Sequence, residues 1–127
     1  MHSPKKFLLI DDDEAYNFIN RITLTETISE CSVTEALSGL QALEYLSRQE
    51  DCPEVILLDI NMPEMDGFEF LKEFDTRRKC IGHTRIFMLT SSVREADRAT
   101  ALSFPSVTGY FDKPLSVDKI ADILKTL

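Results

Sequence analysis

Apolar runs of strand length alternate with stretches of helical period, which predicts an α/β fold: a doubly wound (βα)5 sandwich on a five-stranded parallel sheet. Three runs, Phe7–Ile10, Val55–Leu58 and Ile86–Leu89, are continuously apolar, as strands covered on both faces are. Two more, Cys31–Leu37 and Thr108–Asp112, are mixed in polarity and belong at the sheet edges.

Between these strands the period changes. A first helix reads from Glu14 to about Ile28, with Ala15, Phe18, Ile19 and Ile22 at helical spacing and Asp13 as its N-cap. A second runs from Gly39 to about Gln49 through Ala42, Leu43 and Leu46, with Ser38 and Gln41 at capping-box spacing. The third starts near Gly67 on the signal Asp66 and Glu69, and buries Phe70, Leu71 and Phe74. Ser92 and Glu95 make a similar start for a fourth, the least amphipathic and so the most weakly packed. The fifth runs from Ser116 through Ile120, Ile123 and Leu124 to Leu127. Right-handed crossovers and two edge strands favour the order 2-1-3-4-5, a flavodoxin-like sheet with its switch point between strands one and three.

Size and charge narrow the function. The 127 residues suffice for one domain with a core, residues 1–127, and leave no room for an effector domain. A net charge of -8 argues against direct nucleic-acid binding. The longest basic run, Arg77-Arg78-Lys79, suits a helix carboxyl end. Cys31, Cys52 and Cys80 lack metal-ligand spacing and read as three reduced thiols. No apolar stretch approaches the ~18 residues of a membrane span. The start, Met1 to Lys6, precedes too few apolar residues for a signal peptide, so a cytoplasmic location without membrane contact is expected. His2 and His83 read as surface residues.

Polar residues recur where the strands run out. Asp11, Asp12 and Asp13 follow the first strand, Asp59 follows the third with Asn61 two places on, Thr90 ends the fourth, and Lys113 follows the fifth. In a parallel sheet those ends share one edge, so the residues converge on one pocket. Clustered carboxylates repel unless a cation sits among them, and Mg²⁺ fits best because it takes one or two carboxylates plus phosphate oxygens. One Mg²⁺ and the Lys113 ammonium neutralise three carboxylates in formal charge, so the pocket can admit a phosphoryl group. A carboxylate is a credible phosphoryl acceptor, and the transfer needs positioning and charge neutralisation, which Asp59, Lys113 and Thr90 can supply.

The pieces FLLIDDD, VILLDINMPEMDG, IFMLTSS and GYFDKPL resemble those of a response-regulator receiver domain of two-component signalling, of the stand-alone, chemotaxis-regulator-like kind. The resemblance runs from about Lys6 to Leu127. It implies phosphorylation of Asp59 by a sensor histidine kinase or a histidine phosphotransfer protein. It implies Mg²⁺ held by Asp12, Asp59 and the backbone carbonyl of Asn61, with Asp11 acting through water. Lys113 and Thr90 would contact the phosphoryl group, Tyr110 would be the switch aromatic, and Lys113–Pro114 would be a candidate cis bond. Ser91 is small enough for phosphoryl access, and Asn61 and Ser92 match positions that tune dephosphorylation. Partner binding by the face of helix four, strand five and helix five is implied, by a monomer or weak homodimer with an unspecified downstream protein.

Two other classes compete. A haloacid-dehalogenase-like aspartyl-phosphate phosphatase uses the same residue types, yet expects a second acid where Asn61 stands and a late acidic metal pair. A phosphorylation-independent interaction module would not require the complete acid, Thr and Lys set. The favoured reading is therefore a phosphoacceptor switch rather than an enzyme, with at most weak autophosphatase activity.

Overall fold

The computed structural model describes residues 5–127. Strands β1 (Lys5–Ile10), β2 (Cys31–Ala36), β3 (Val55–Leu58), β4 (Arg85–Thr90) and β5 (Val107–Asp112) form one sheet. All its pairings are parallel, in the order β2-β1-β3-β4-β5. Helices α1 (Glu14–Thr27), α2 (Gly39–Arg48), α3 (Gly67–Arg77), α4 (Glu95–Leu102) and α5 (Val117–Leu124) alternate with them. The reading of His2 lies outside the described residues, and His83 is exposed.

Side chains of one strand go alternately to opposite faces, so each central strand feeds two cores. Leu8 and Ile10 pack with Ile56, Leu58, Leu43, Phe70 and Phe74 on the α2–α3 side. Phe7 and Leu9 pack with Leu57, Leu24, Ile120 and Ile123 on the α1–α5 side. Burial of both faces explains why β1, β3 and β4 are continuously apolar.

Several helix starts follow the expected chemistry. Asp13 accepts the Tyr16 N–H, Ser38 the Gln41 N–H and Ser116 the Lys119 N–H, each satisfying a donor the helix leaves free, although the Gln41 side chain accepts from Leu37 and closes no capping box on Ser38. Asp66 and Glu69 form a reciprocal capping box on α3. Arg77 lies in the last turn of α3, whereas the Lys79 ammonium reaches across to the Leu46 and Gln49 carbonyls at the end of α2.

Four expectations are corrected. The buried face of α1 is Asn17, Asn20 and Leu24, while Ala15 is exposed and Phe18, Ile19 and Ile22 are 56%, 55% and 38% exposed. Apolar periodicity pointed to the wrong face because Asn17 has buried backbone acceptors: its Nδ2 donates to the carbonyls of Asp11 (2.9 Å) and Ala36 (3.3 Å). The cysteines are not three thiols, since Cys52 and Cys80 form a disulfide and leave Cys31 free. Cys52 precedes β3 and Cys80 precedes β4, and the pairing of those strands brings two distant positions to a Cα separation of 5.7 Å. At α4 the N-cap is Arg94, with no side-chain capping bond, and Ser92 lies two residues earlier, where its hydroxyl donates to Asp97 and accepts the Arg94 N–H. The α5 helix ends at Leu124 rather than at Leu127.

Gly67 sets the height of α3 over the sheet. Its N–H donates to the Ile60 carbonyl at 2.8 Å, and a Cβ there would lie 2.6 Å from the Asp59 carbonyl oxygen and 2.9 Å from the Ile60 Cα. Both neighbours are backbone, so neither can turn away. Gly67→Ala is expected to cost about 1–3 kcal/mol in urea unfolding, the usual range for overpacking; a loss below about 0.5 kcal/mol would show that the contact yields freely.

Candidate functional site

Strand register assembles the pocket. Ile10 pairs with Leu58, so the next residue of each strand, Asp11 and Asp59, emerges beside the other at the switch point. The Asp59 N–H donates to the Ile10 carbonyl at 3.0 Å and the Asp11 N–H to the Ala36 carbonyl at 3.1 Å, continuing the ladder into the acidic residues. On the other side Thr90 pairs with Asp112, and the Lys113 N–H donates to the Thr90 carbonyl at 3.1 Å. The Lys113–Pro114 bond is cis.

Asp11 and Asp59 are each only 5% exposed, whereas Asp12 is exposed. The Lys113 Nζ lies 2.7 Å from Asp11 Oδ2 and 3.5 Å from Asp59 Oδ2, and 4.4 Å from the centre of the Tyr16 ring. Each acid spends its other oxygen on backbone: Asp11 Oδ1 accepts the Asp13 N–H and Asp59 Oδ1 the Ile60 N–H, both at 2.9 Å. Burial pushes the Asp11 carboxyl above 3.8, opposed by the Lys113 and Asp13 hydrogen bonds and reinforced by the Asp59 charge. Burial would lower Lys113, but the Asp11 hydrogen bond and the Asp59 and Asp11 charges outweigh it and hold the ammonium above 10.5.

Asp11, Asp12 and Asp59 each offer a carboxylate oxygen within 4.8 Å of the others. Three hard oxygen donors at that spacing fit a hard divalent cation, and the single ammonium among them leaves net negative charge to attract one. Asn61 is exposed in the loop that follows β3.

Thr90 is fully buried, and its Oγ1 accepts the Ser92 N–H at 3.3 Å. Ser91 is exposed between them. The Tyr110 hydroxyl donates to the Ser92 carbonyl at 3.3 Å, and the Arg98 guanidinium lies 5.5 Å from the centre of the Tyr110 ring. Burial raises the Tyr110 phenol above 10.0. Asp11, Asp12, Asp59, Asn61, Thr90, Ser91 and Lys113 thus end or follow strands along one sheet edge, while Tyr110 lies two residues back within β5. Sequence reasoning missed Tyr16, which faces Lys113, and Asn17, which holds the Asp11 carbonyl. Asn17 had one signal, its i,i+3 spacing with Asn20, whereas nothing local marks Tyr16.

The raised Asp11 value has a stability consequence. A folded-state pKa above the unfolded one contributes stability that is fully present below 3.8 and lost as pH rises through the folded value. Asp11→Asn is therefore expected to stabilise the metal-free protein at pH ~7 and to lose that advantage as pH falls towards ~4. Urea unfolding in EDTA at the two pH values measures it, and a variant less stable than wild type at neutral pH contradicts the expectation.

The description "response regulator receiver domain" is that of the family model matching residues 7–125. The chain is 34% identical over 125 residues to the chemotaxis protein CheY homolog of Campylobacter jejuni, across 95% of this chain and 93% of that one. It is 29% identical to the sensor histidine kinase CheAY of Helicobacter pylori, across 98% of this chain but only 15% of the relative's length. Among solved structures, the two component response regulator from Cytophaga hutchinsonii matches with a TM-score of 0.86 at 27% identity, covering 98% of this chain and 97% of that one. These matches give no support to the phosphatase alternative. The strand order, the acidic edge and the family match together identify the chain as a member of the response regulator receiver domain family, a family of signalling domains.

Proposed function

We propose that Asp59 is the phosphoryl acceptor of a two-component phosphorelay, charged by a sensor histidine kinase or a histidine phosphotransfer protein. One observation carries the reading. A buried carboxylate lies at a strand end with an ammonium 3.5 Å away and two further carboxylates within reach of a shared cation.

Transfer forms a bond between an Asp59 carboxylate oxygen and phosphorus and breaks the phosphorus–nitrogen bond of phosphohistidine. The imidazole nitrogen keeps the electron pair and takes up a proton. Asp12, Asp59 and the Asn61 carbonyl would hold Mg²⁺, with Asp11 reaching it through water, and the ion would supply charge neutralisation at the phosphoryl oxygens. Lys113 leaves its carboxylate partners for the new phosphoryl oxygens, and the Thr90 hydroxyl donates to another of them. The acyl phosphate carries more negative charge than the carboxylate it replaces, so its attraction for both groups is stronger.

Movement of Thr90 would reach the readout through Ser92, whose N–H binds Thr90, whose hydroxyl binds Asp97 of α4 and whose carbonyl accepts from Tyr110. The α4 helix buries only Ala101, so little packing opposes a shift. The face of α4, β5 and α5 would then change its affinity for a downstream protein, with slow self-dephosphorylation as the reset. We read the chain as a single cytoplasmic receiver domain, a monomer or weak homodimer, acting without nucleic acid or membrane. No described helix is long and apolar enough to cross a membrane.

Phosphotransfer from radiolabelled histidine kinases of the host tests the assignment. Wild type is expected to take up label in the presence of Mg²⁺, and Asp59→Asn to take up none. Label retained by Asp59→Asn would refute the acceptor, and label in EDTA equal to that in Mg²⁺ would refute the cation requirement.

A further inference from the structure

Lys119 stands at a helix position that disfavours it. It is the third residue of α5 after the Ser116 N-cap, where the helix dipole is positive and where a capping box would place Glu or Gln. At the protein surface its ammonium donates to the Asp112 carbonyl at 2.6 Å and to the Pro114 carbonyl at 2.8 Å. Those two carbonyls belong to the residues on either side of Lys113. The backbone of Lys113 is thus tied on two sides: inward through its own N–H to the Thr90 carbonyl, outward through its neighbours to Lys119.

We propose that Lys119 is a positioning residue for phosphoryl transfer, gripping both neighbours of Lys113 so that the Lys113 ammonium is aimed at the site between Asp11 and Asp59. The inference rests on the assignment of Asp59 as acceptor and of Lys113 as its phosphoryl partner. Charge-assisted hydrogen bonds to two carbonyls flanking one residue fix the direction in which its side chain leaves the turn. Without them the turn is held at the Thr90 side and by the packing of Leu115, which is buried. Lys113 could then still neutralise carboxylates in the resting state but would meet the transferring phosphoryl group less well, and small misplacements carry large rate penalties.

Lys119→Met keeps the aliphatic stem, removes the donors and relieves the unfavourable charge at the α5 start, so loss of the helix is not its expected effect. Acetyl phosphate with Mg²⁺ is the probe: the bond from phosphorus to the acetate oxygen breaks as the bond to Asp59 forms, and acetate leaves. The phosphorylation rate of Lys119→Met at saturating Mg²⁺ is expected to fall roughly tenfold, while Mg²⁺ affinity stays within about twofold of wild type. The loss is expected to persist from about 0.1 M to 1 M salt, because aiming is not screened whereas charge steering is. A rate within about twofold of wild type, or a loss that disappears at ~1 M salt, overturns the proposal. If Lys119→Met fails to bind Mg²⁺ and so lacks an intact pocket, Lys119→Leu, which also lacks donors, is measured in its place against the same criteria. Asp59→Asn, run beside them, separates the two ideas: phosphorylation of that variant refutes the acceptor assignment, whereas a silent Asp59→Asn with a fully active Lys119→Met refutes the role of Lys119 alone.

Discussion

Two buried carboxylates side by side are the constraint around which this molecule is arranged. The parallel register of β1 and β3 sets Asp11 against Asp59, and the sheet and helices remove most of their contact with water. Repulsion and desolvation then act together, and Lys113 answers them with one positive charge shared unequally between two acids. Much else follows from keeping that charge in place. Thr90 holds the Lys113 backbone from the sheet side, Lys119 holds the carbonyls on either side of it, and the Tyr16 ring lies over its ammonium. One cation for two buried anions, with Asp12 adding a third at the rim, leaves the pocket deficient in positive charge. A resting state of that kind is ready for a further cation and responds to any change in charge at Asp59.

Most of the architecture was legible in the sequence because burial on both faces leaves a plain mark. Val55–Leu58 cannot be read as an amphipathic helix, and Cys31–Ala36 cannot be read as a central strand. The acidic pocket was legible for a related reason: polar residues that end buried strands are separated in sequence but share one edge of a parallel sheet. What escaped was set by contacts between elements. Nothing near Tyr16 in the chain reveals that Lys113 lies across from it, and nothing near Cys52 reveals that Cys80, in the turn before the neighbouring strand, lies beside it. Lys119 in isolation is an ordinary lysine, and only the turn carried by β5 shows what it holds.

The α1 helix shows how periodicity alone can mislead. Phe18, Ile19 and Ile22 form an apolar stripe that ordinary reasoning buries, yet the helix turns two asparagines and Leu24 inward. A buried polar residue is tolerated where it meets partners that are themselves buried and in need, and the carbonyls ending β1 and β2 are such partners. At α4 the half-buried Ser92 donates its hydroxyl to Asp97 and its N–H to Thr90, linking the helix start to the end of β4.

The inward asparagine also makes α1 a lever. A helix seated by apolar area alone can roll or slide a little at small cost, since one greasy contact resembles the next. Hydrogen bonds are directional, and Asn17 grips the carbonyl of Asp11 and the end of β2 at once. Torque or tension applied to the outer side of α1 is therefore transmitted to the peptide that carries the first acid of the pocket, rather than being absorbed in side-chain slippage.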